Sequence, residues 1–360
     1  MSLKTYCKYL VFICSILNIG YRDENWTTML TDTFTNEQLA GQRLMLGFDG
    51  TTLNSDLKKI IDTIKVGGLI LFTRNIQSPD QLRRLCSDAQ TYAADCGLPP
   101  LFIAIDQEGG QVARLKAPFT EFPQTPPLNS GAAADNFARI TAAELKEVGI
   151  NMNMAPVMDV NDPHIDSIMV KRAFSHDPEI VSEIGVAVID GLQARQVMAV
   201  AKHFPGIGRT TVDSHIDQPI LEASTKELAT DLAPFSAAVD HHVAGIMLAH
   251  ILYRALDPDL PASLSVKIAR DLLRNQMGYD GLVLTDDLDM GAISNHFDID
   301  TAVECILTAD IDLILVCHTG PVQDRAFTCI CRWLQKESGH RDDGRQSVQR
   351  IMRLKQQYLY

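Results

Sequence analysis

The sequence predicts a single (β/α)8 barrel of the TIM type, and three observations carry that expectation. Eight short apolar runs recur along the chain, at 44–48, 68–72, 101–106, 151–156, 197–203, 245–250, 281–286 and 313–317. Stretches with apolar residues at helical spacing separate most of them. Four of the runs, the third, fifth, sixth and seventh, end directly on a charged or ionisable residue. Near-continuous apolar strands alternating with amphipathic helices suit a parallel sheet covered by helices, and eight such units suggest a closed barrel rather than an open sheet. A doubly wound sheet would need a glycine-rich phosphate turn after its first strand, and Gly47-Phe48-Asp49-Gly50 is not one.

Taken in order, the runs at 44–48 and 68–72 open the barrel, and a helix over 79–92 leads to the third strand at 101–106. Helices over 136–148, 178–193, 225–239, 266–277 and 299–309 precede the strands that begin at 151, 197, 245, 281 and 313. Each helical stretch has a Ser, Thr or Asp nearby that can cap its first turn. A late helix holds Cys329-x-Cys331, while 118–128 and 338–345 read as Pro-rich or polar loops. No internal repeat or low-complexity linker interrupts the pattern. The expected organisation is an N-terminal extension over 1–35, one catalytic-type domain over 36–336 and a helical tail over 337–360.

Composition narrows the function classes. The chain has 360 residues, 46% of them hydrophobic and 21% charged, which is enough for a large core. Its formal net charge of -13 argues against a nucleic-acid surface, which needs clustered Lys and Arg to neutralise phosphates. The eight cysteines follow no metal-site spacing and are too sparse for a disulfide scaffold, so they read as reduced, mostly structural thiols. Residues 9–19 form an apolar run behind Lys4 and Lys8 that resembles a signal-peptide core without a small-residue cleavage site, and it is too short to span a bilayer. It reads either as an upstream extension outside the fold, set by an early start codon, or as an export signal. The expected partner is a small neutral or amphoteric ligand, with no nucleic acid and no stable membrane association.

In a barrel of this type chemistry gathers at the C-terminal ends of the strands. The third run exits at Asp106-Gln107-Glu108-Gly109-Gly110, the fourth toward Asp159, the fifth at Lys202-His203, the sixth at His250 and the seventh at Asp286-Asp287. Beyond the fifth, Pro205, Gly206 and Gly208 break the strand and open a loop bearing Asp213 and His215. Two residues apart in an extended stretch, these would project to the same side, where the carboxylate can orient the imidazole and raise its basicity. Asp286, emerging from GLVLTDDLDM, is placed to attack an anomeric carbon or to stabilise an oxocarbenium ion, with His215 as the protonating partner. Asp106 suits a sugar diol because a carboxylate accepts two hydrogen bonds, and Arg114 and Arg172 add fixed donor forks. Glu108, before two glycines, reads as a brace for the turn, and Asn153 and Asn161 as rim scaffolding.

Together these stretches resemble glycoside hydrolase family 3, in its β-N-acetylglucosaminidase branch. The matching segments are GGLILFTRN (67–75), IDQEGGQVARL (105–115), NMNMAPVMDVN (151–161), KRAF (171–174), KHFPGIGRTTVDSH (202–215), MLAH (247–250) and TDDLDMGAI (285–293), in barrel order. The resemblance implies a retaining β-N-acetylhexosaminidase in which Asp286 is the nucleophile, His215 the general acid/base and Asp213 its partner. It also implies that Asp106, Arg114, Arg172, Lys202 and His203 bind the non-reducing N-acetylglucosamine, and that neither a metal nor an organic cofactor is needed. Single-domain bacterial members of the branch act in the cytoplasm on GlcNAc-1,6-anhydro-MurNAc peptides during peptidoglycan recycling. Two positions depart from the usual pattern: Ile207 stands where the family commonly has a second His, and Gln111 where an Arg often follows the Gly pair. A β-N-acetylglucosaminide phosphorylase, passing the same intermediate to phosphate, and an inactive sugar-binding barrel are the competing readings.

Overall fold

The structure is a computed structural model that describes residues 24–123 and 128–360. The apolar run at 9–19 lies outside the described residues, as does the centre of the Pro-rich loop. Eight parallel strands close on themselves: β1 (Leu44–Leu46), β2 (Gly68–Leu71), β3 (Phe102–Ile105), β4 (Met152–Asn153), β5 (Met198–Phe204), β6 (Gly245–Leu248), β7 (Leu282–Asp287) and β8 (Leu313–Val316). Each pairs with its sequence neighbours, and β8 pairs with β1 to shut the barrel. A (β/α)8 barrel is therefore the observed architecture.

The helices longer than four residues are α1 (Glu24–Asp32), α2 (Asn36–Gln42), α3 (Ser55–Asp62), α4 (Pro79–Asp95), α5 (Gly131–Glu147), α6 (Pro178–Gln193), α7 (Thr225–Asp240), α8 (Lys267–Gln276, π-type), α9 (Ile299–Thr308), α10 (Pro321–Lys336) and α11 (Ser338–Leu359). Those from α3 to α10 follow the eight strands one for one. Local chemistry sets their starts: Ser78 and Asp177 cap α4 and α6 directly before a proline at the first helical position, and Ser224 and Glu227 form a reciprocal capping box on α7. Strand residues such as Leu46, Ile103, Val200, Ile246, Leu284 and Ile314 are fully buried or nearly so, and the core lies in and around the barrel wall.

Two regions differ from the sequence reading. The stretch 338–345, expected as a polar loop, forms the first turns of α11, because Arg341 and Arg345 reach back to Asn36, the Phe34 carbonyl and Asp32 and anchor a segment that has little apolar surface of its own. The ladder of β4 is only two residues long, although 151–156 is apolar, since Pro156 has no N–H to offer and a single bridge from Val157 to Lys202 continues the contact. The expected boundaries at 36 and 336 fall inside packed structure: α11 buries Val348, Ile351 and Met352, and Trp26 of α1 meets Tyr360 edge to face at 5.9 Å.

Candidate active site

The C-terminal rim is built from strand ends and the loops that leave them. After β3 the chain folds into a short antiparallel hairpin, Gln107–Gly109 with Val112–Ala113, which returns Arg114 over Asp106, with Nη2 3.3 Å from Oδ2. Lys202, near the end of β5, reaches both acids of this loop, with Nζ 2.8 Å from Asp106 Oδ1 and 2.7 Å from Glu108 Oε1. Arg172 donates to the other side of Glu108 in bidentate fashion, Nε to Oε2 at 3.0 Å and Nη2 to Oε1 at 2.7 Å. The side chains of Lys202 and Glu108 are each only 3% exposed. Burial alone would raise the Glu108 carboxyl, but Lys202 and Arg172 overcome it and hold the group down at about 2. In the same way Asp106 and Glu108 raise the Lys202 ammonium against the effect of its burial. Charges this deep are tolerated because each is paired.

Lys202 and His203 are neighbours on one strand, yet both serve the rim. Their peptide is cis, and the register of β5 against β6 shifts between Ala201 and Phe204. His203 Nδ1 lies 2.9 Å from Asp159 Oδ2, while Asp159 Oδ1 accepts the Ile207 N–H at 2.8 Å. Asp159 thus fixes both the imidazole and the loop that leaves β5. Nε2 of His203 faces Arg172 Nη2 at 3.5 Å. Ile207 is buried, so its side chain packs while its backbone supports Asp159; Gln111 is exposed.

Asp286 sits on β7 with Oδ1 accepting the Asp287 N–H at 2.8 Å. Burial pushes its carboxyl up, but the nearby His250 and His203, the Asp287 N–H and Lys202 outweigh this and leave it below the usual range. His250, leaving β6, bonds the Asp287 carbonyl through Nε2 at 2.9 Å and the Ser263 hydroxyl through Nδ1 at 2.6 Å. A carbonyl can only accept, so Nε2 donates to Asp287; burial lowers the ring's pKa, and the nearby Asp286 carboxylate works against that. Asp286 is thereby an ionised carboxylate at the barrel lip among imidazoles and a lysine.

The loop after β5 presents Asp213 and His215, their side chains 46% and 70% exposed. They meet in a turn rather than in an extended stretch. Asp213 Oδ1 accepts the His215 backbone N–H at 2.9 Å and lies 2.8 Å from His215 Nδ1, a side-chain-to-backbone bond that a strand would not allow. Burial raises the Asp213 carboxyl, but the bonds from His215 and the field of Arg172 lower it overall.

The structure brings Asp106, Arg114, Arg172, Lys202 and His203 into one contact network and sets Asp286 within its field. Asp213 and His215 form a separate pair on the neighbouring loop. Three side chains at this rim were not singled out as site residues in the sequence: Glu108 and Asp159, which join the network, and His250, which lies beside Asp286. Asp159 and His250 stand at strand exits, where their position was the available signal, whereas the double pairing of Glu108 rests on Arg172, 64 residues away.

Asp287, Asp289 and His318 are the described residues whose ligand atoms could meet on a metal, all within 4.8 Å of one another. His318 Nδ1 stands 3.4 Å from an Asp289 oxygen and 3.7 Å from an Asp287 oxygen, with the His318 side chain 67% exposed. At the opposite end of the barrel a cleft of about 670 Å³ is lined by Asp240, His242, Tyr279, Arg350, Arg353 and Tyr358 among others. It lies where strands begin, the end of such barrels that serves stability, so the rim at the strand exits is the candidate site.

The pattern that describes the "Glycosyl hydrolase family 3 N terminal domain" matches residues 35–354 of the chain. The chain belongs to glycoside hydrolase family 3. A Beta-hexosaminidase of Nitrosomonas eutropha is 36% identical over 297 residues, covering 80% of this chain and 84% of the relative. Among solved structures, a glycoside hydrolase family 3 beta-N-acetylglucosaminidase from Paenibacillus sp. str. FPU-7 is 37% identical with a TM-score of 0.87 over 91% of this chain, which spans 63% of that longer protein. A Beta-N-acetylhexosaminidase from Beutenbergia cavernae is 29% identical with a TM-score of 0.82, and 89% of this chain covers 98% of it. This family 3 chain is a glycoside hydrolase of the β-N-acetylhexosaminidase kind. No helix among its described residues is long and apolar enough to cross a membrane.

Proposed function

We propose that this family 3 hydrolase removes non-reducing terminal N-acetylglucosamine with retention, through a covalent glycosyl-enzyme on Asp286. The carrying observation is Asp286 itself: a half-buried carboxylate at a strand exit, held below the usual carboxylate range by His250, His203 and Lys202. An ionised carboxylate can attack the anomeric carbon, while a protonated His215 gives its proton to the departing oxygen. In the second step the neutral imidazole accepts a proton from water, and Asp213 at 2.8 Å holds its tautomer and stabilises the charged form. Asp106, Arg114, Arg172, Lys202 and His203 serve the sugar ring: a network of fixed charges next to the nucleophile offers acceptors and donors for its hydroxyls and acetamido group. The Arg114 Nε, buried without an acceptor, marks a donor that this network does not satisfy internally. The substrate in this reading is GlcNAc-1,6-anhydro-MurNAc with or without its peptide, processed in the cytoplasm during peptidoglycan recycling. Neither a metal nor an organic cofactor takes part.

Chromophore release from an aryl N-acetyl-β-glucosaminide, set against the aryl β-glucoside, tests the sugar assignment. Loss of the acetamido group should lower kcat/KM by roughly tenfold or more, the scale seen when buried polar partners are left unpaired. Equal rates on the two would remove the N-acetylglucosamine assignment. A histidine acid/base does not repel an incoming anion as a carboxylate would, so the same assay run with and without inorganic phosphate separates hydrolysis from phosphorolysis.

A further inference from the structure

We infer that the turn after β7, Gly291–His296, is the seat that positions the Asp213–His215 loop, making Gly291 and Asn295 positioning residues for the proposed acid/base. The inference rests on the proposed role of His215. The loop carries its functional pair almost in solvent, and within the loop only short-range bonds stiffen it, such as those from the Ile216 and Asp217 N–H groups to the Asp213 carbonyl. The two ends of the loop are held elsewhere, Thr210 by the Ile168 N–H and Pro219 by the Leu252 N–H, while residues 214–217 between them are fixed on the segment downstream of Asp286. The Gly291 N–H donates to the His215 carbonyl at 3.1 Å, the Ala292 N–H to the Ser214 carbonyl at 3.0 Å, and Asn295 Nδ2 to the Ile216 carbonyl at 3.1 Å. His296 Nε2 closes the set on Asp217 Oδ1 at 2.6 Å.

Four consecutive loop residues, 214–217, are thus read by one turn, and three of the four bonds go to backbone carbonyls. The seat therefore fixes the path of the loop and with it the position of the His215 ring. Gly291 is what permits the approach: a Cβ there would stand 2.4 Å from the Ile216 carbonyl oxygen and 2.9 Å from that of His215. Both clashes are with backbone, so a side chain at 291 must push the loop away. Because the seat is continuous with the strand that carries Asp286, nucleophile and acid/base share one rigid reference. A proton donor must sit within hydrogen-bond reach of the leaving oxygen, and displacement of the loop removes proton donation without touching Asp286.

The test is Gly291→Ala, with Asn295→Ala combined with Asp217→Asn as a milder second variant that introduces no clash, and His215→Ala as reference. Each is assayed on an aryl N-acetyl-β-glucosaminide whose leaving group needs no proton and on one with a poor leaving group, alongside thermal unfolding. Loss of general acid catalysis is worth on the order of a hundredfold or more. We expect Gly291→Ala to lose at least tenfold on the poor leaving group and less than about threefold on the good one, with the double variant showing the same split more weakly. A purely structural role would depress both substrates together. If His215→Ala shows the split and neither seat variant does, the inference is overturned while the acid/base reading stands. If His215→Ala shows no split, the acid/base assignment fails and the inference with it. Should Gly291→Ala unfold, the double variant decides alone.

Discussion

Asp286 is one of a pair, and the two aspartates have been given opposite surroundings. Asp286 is held below the normal range by His250, His203 and Lys202, whereas burial and the nearby Asp289 raise Asp287 to about 6 even though it accepts the Asp289 and Cys317 N–H groups. Asp287 therefore reads as a brace for the β7–β8 rim, and Asp286 is the proposed nucleophile. Asp286→Ala is expected to abolish turnover while leaving thermal unfolding nearly unchanged, because no neighbouring group can replace a covalent nucleophile at comparable rate. Labelling with a 2-deoxy-2-fluoro or 5-fluoro glycoside, followed by peptide mapping, should modify the peptide at Asp286; a label on Asp287 or Asp106 would overturn the assignment. At this scale the sequence was most legible where a residue type and a strand end coincide, as at Asp286, Asp106 and Lys202. It was least legible where a role comes from a partner far along the chain. Glu108 looked like a turn brace, and only the folded chain shows it clamped between Lys202 and Arg172.

At the scale of elements, the root of the loop that carries Asp213 and His215 is set by close approach and by charge. A Cβ on Gly208 would lie 1.8 Å from the Val160 carbonyl oxygen, so the loop can leave β5 along this path only with glycine there. The next residue, Arg209, joins three carboxylates from two elements: Asp162 in the loop after β4, and Glu227 and Asp231 on α7, the last at 3.0 Å from Nε. Asp231 is buried enough that its carboxyl is pushed to about 6 by desolvation in spite of Arg209. A carboxyl raised above its unfolded value costs the fold stability as pH climbs from about 4 toward the folded pKa. Without Arg209 the folded value moves higher still, and the cost extends further up the scale. Arg209→Met should therefore be nearly tolerated at pH 5 and destabilised by about 3 kcal/mol at pH 8, the size typical of a broken buried pair. Urea unfolding at the two pH values measures it; an equal loss at both would show that Asp231 stays ionised without Arg209. None of this was legible in sequence, since Arg209 stands among polar loop residues and its partners come from two other elements. Only the strand-breaking glycines gave the loop away, and the extended path assumed for Asp213-x-His215 proved to be a turn.

For the whole molecule, the repeating apolar runs were sufficient for the barrel because strand burial leaves a direct mark in sequence, while the closing of its lower end leaves almost none. That end depends on polar groups buried against each other over long separations. Asp312 at the start of β8 accepts from Arg274 of α8 and from Ser347 and Arg350 of α11, and Arg43 donates to the Ile311 and Asp312 carbonyls. A reading by periodicity takes Ser, Arg and Gln in a late segment as marks of a solvated tail, which is why 337–360 looked separable. Lys355 is the most informative residue of this seal. It is fully buried, donates from Nζ to Gln42 Oε1 at 2.7 Å, and lies 5.0 Å over the Phe102 ring. Desolvation drives its pKa well below the normal lysine value, so burial favours the neutral amine. In the unfolded chain the same group stays protonated up to about pH 10.4. The unfolded state thus binds more protons between the folded and unfolded pKa values, and the stability of the fold rises with pH across that window. Lys355→Met keeps the length and the apolar stem of the side chain, loses one hydrogen bond to Gln42, and removes the cost of deprotonation. The variant should therefore melt at least roughly 2 °C higher than the parent at pH 7, with the difference shrinking as pH approaches 10, where the parent no longer sheds a proton on folding. Thermal unfolding of both proteins at pH 7, 8.5 and 10 follows that convergence. A variant less stable than the parent by a constant margin at all three would mean that Lys355 stays charged in the barrel floor and that Gln42 and the Phe102 ring are enough to hold an ammonium ion there.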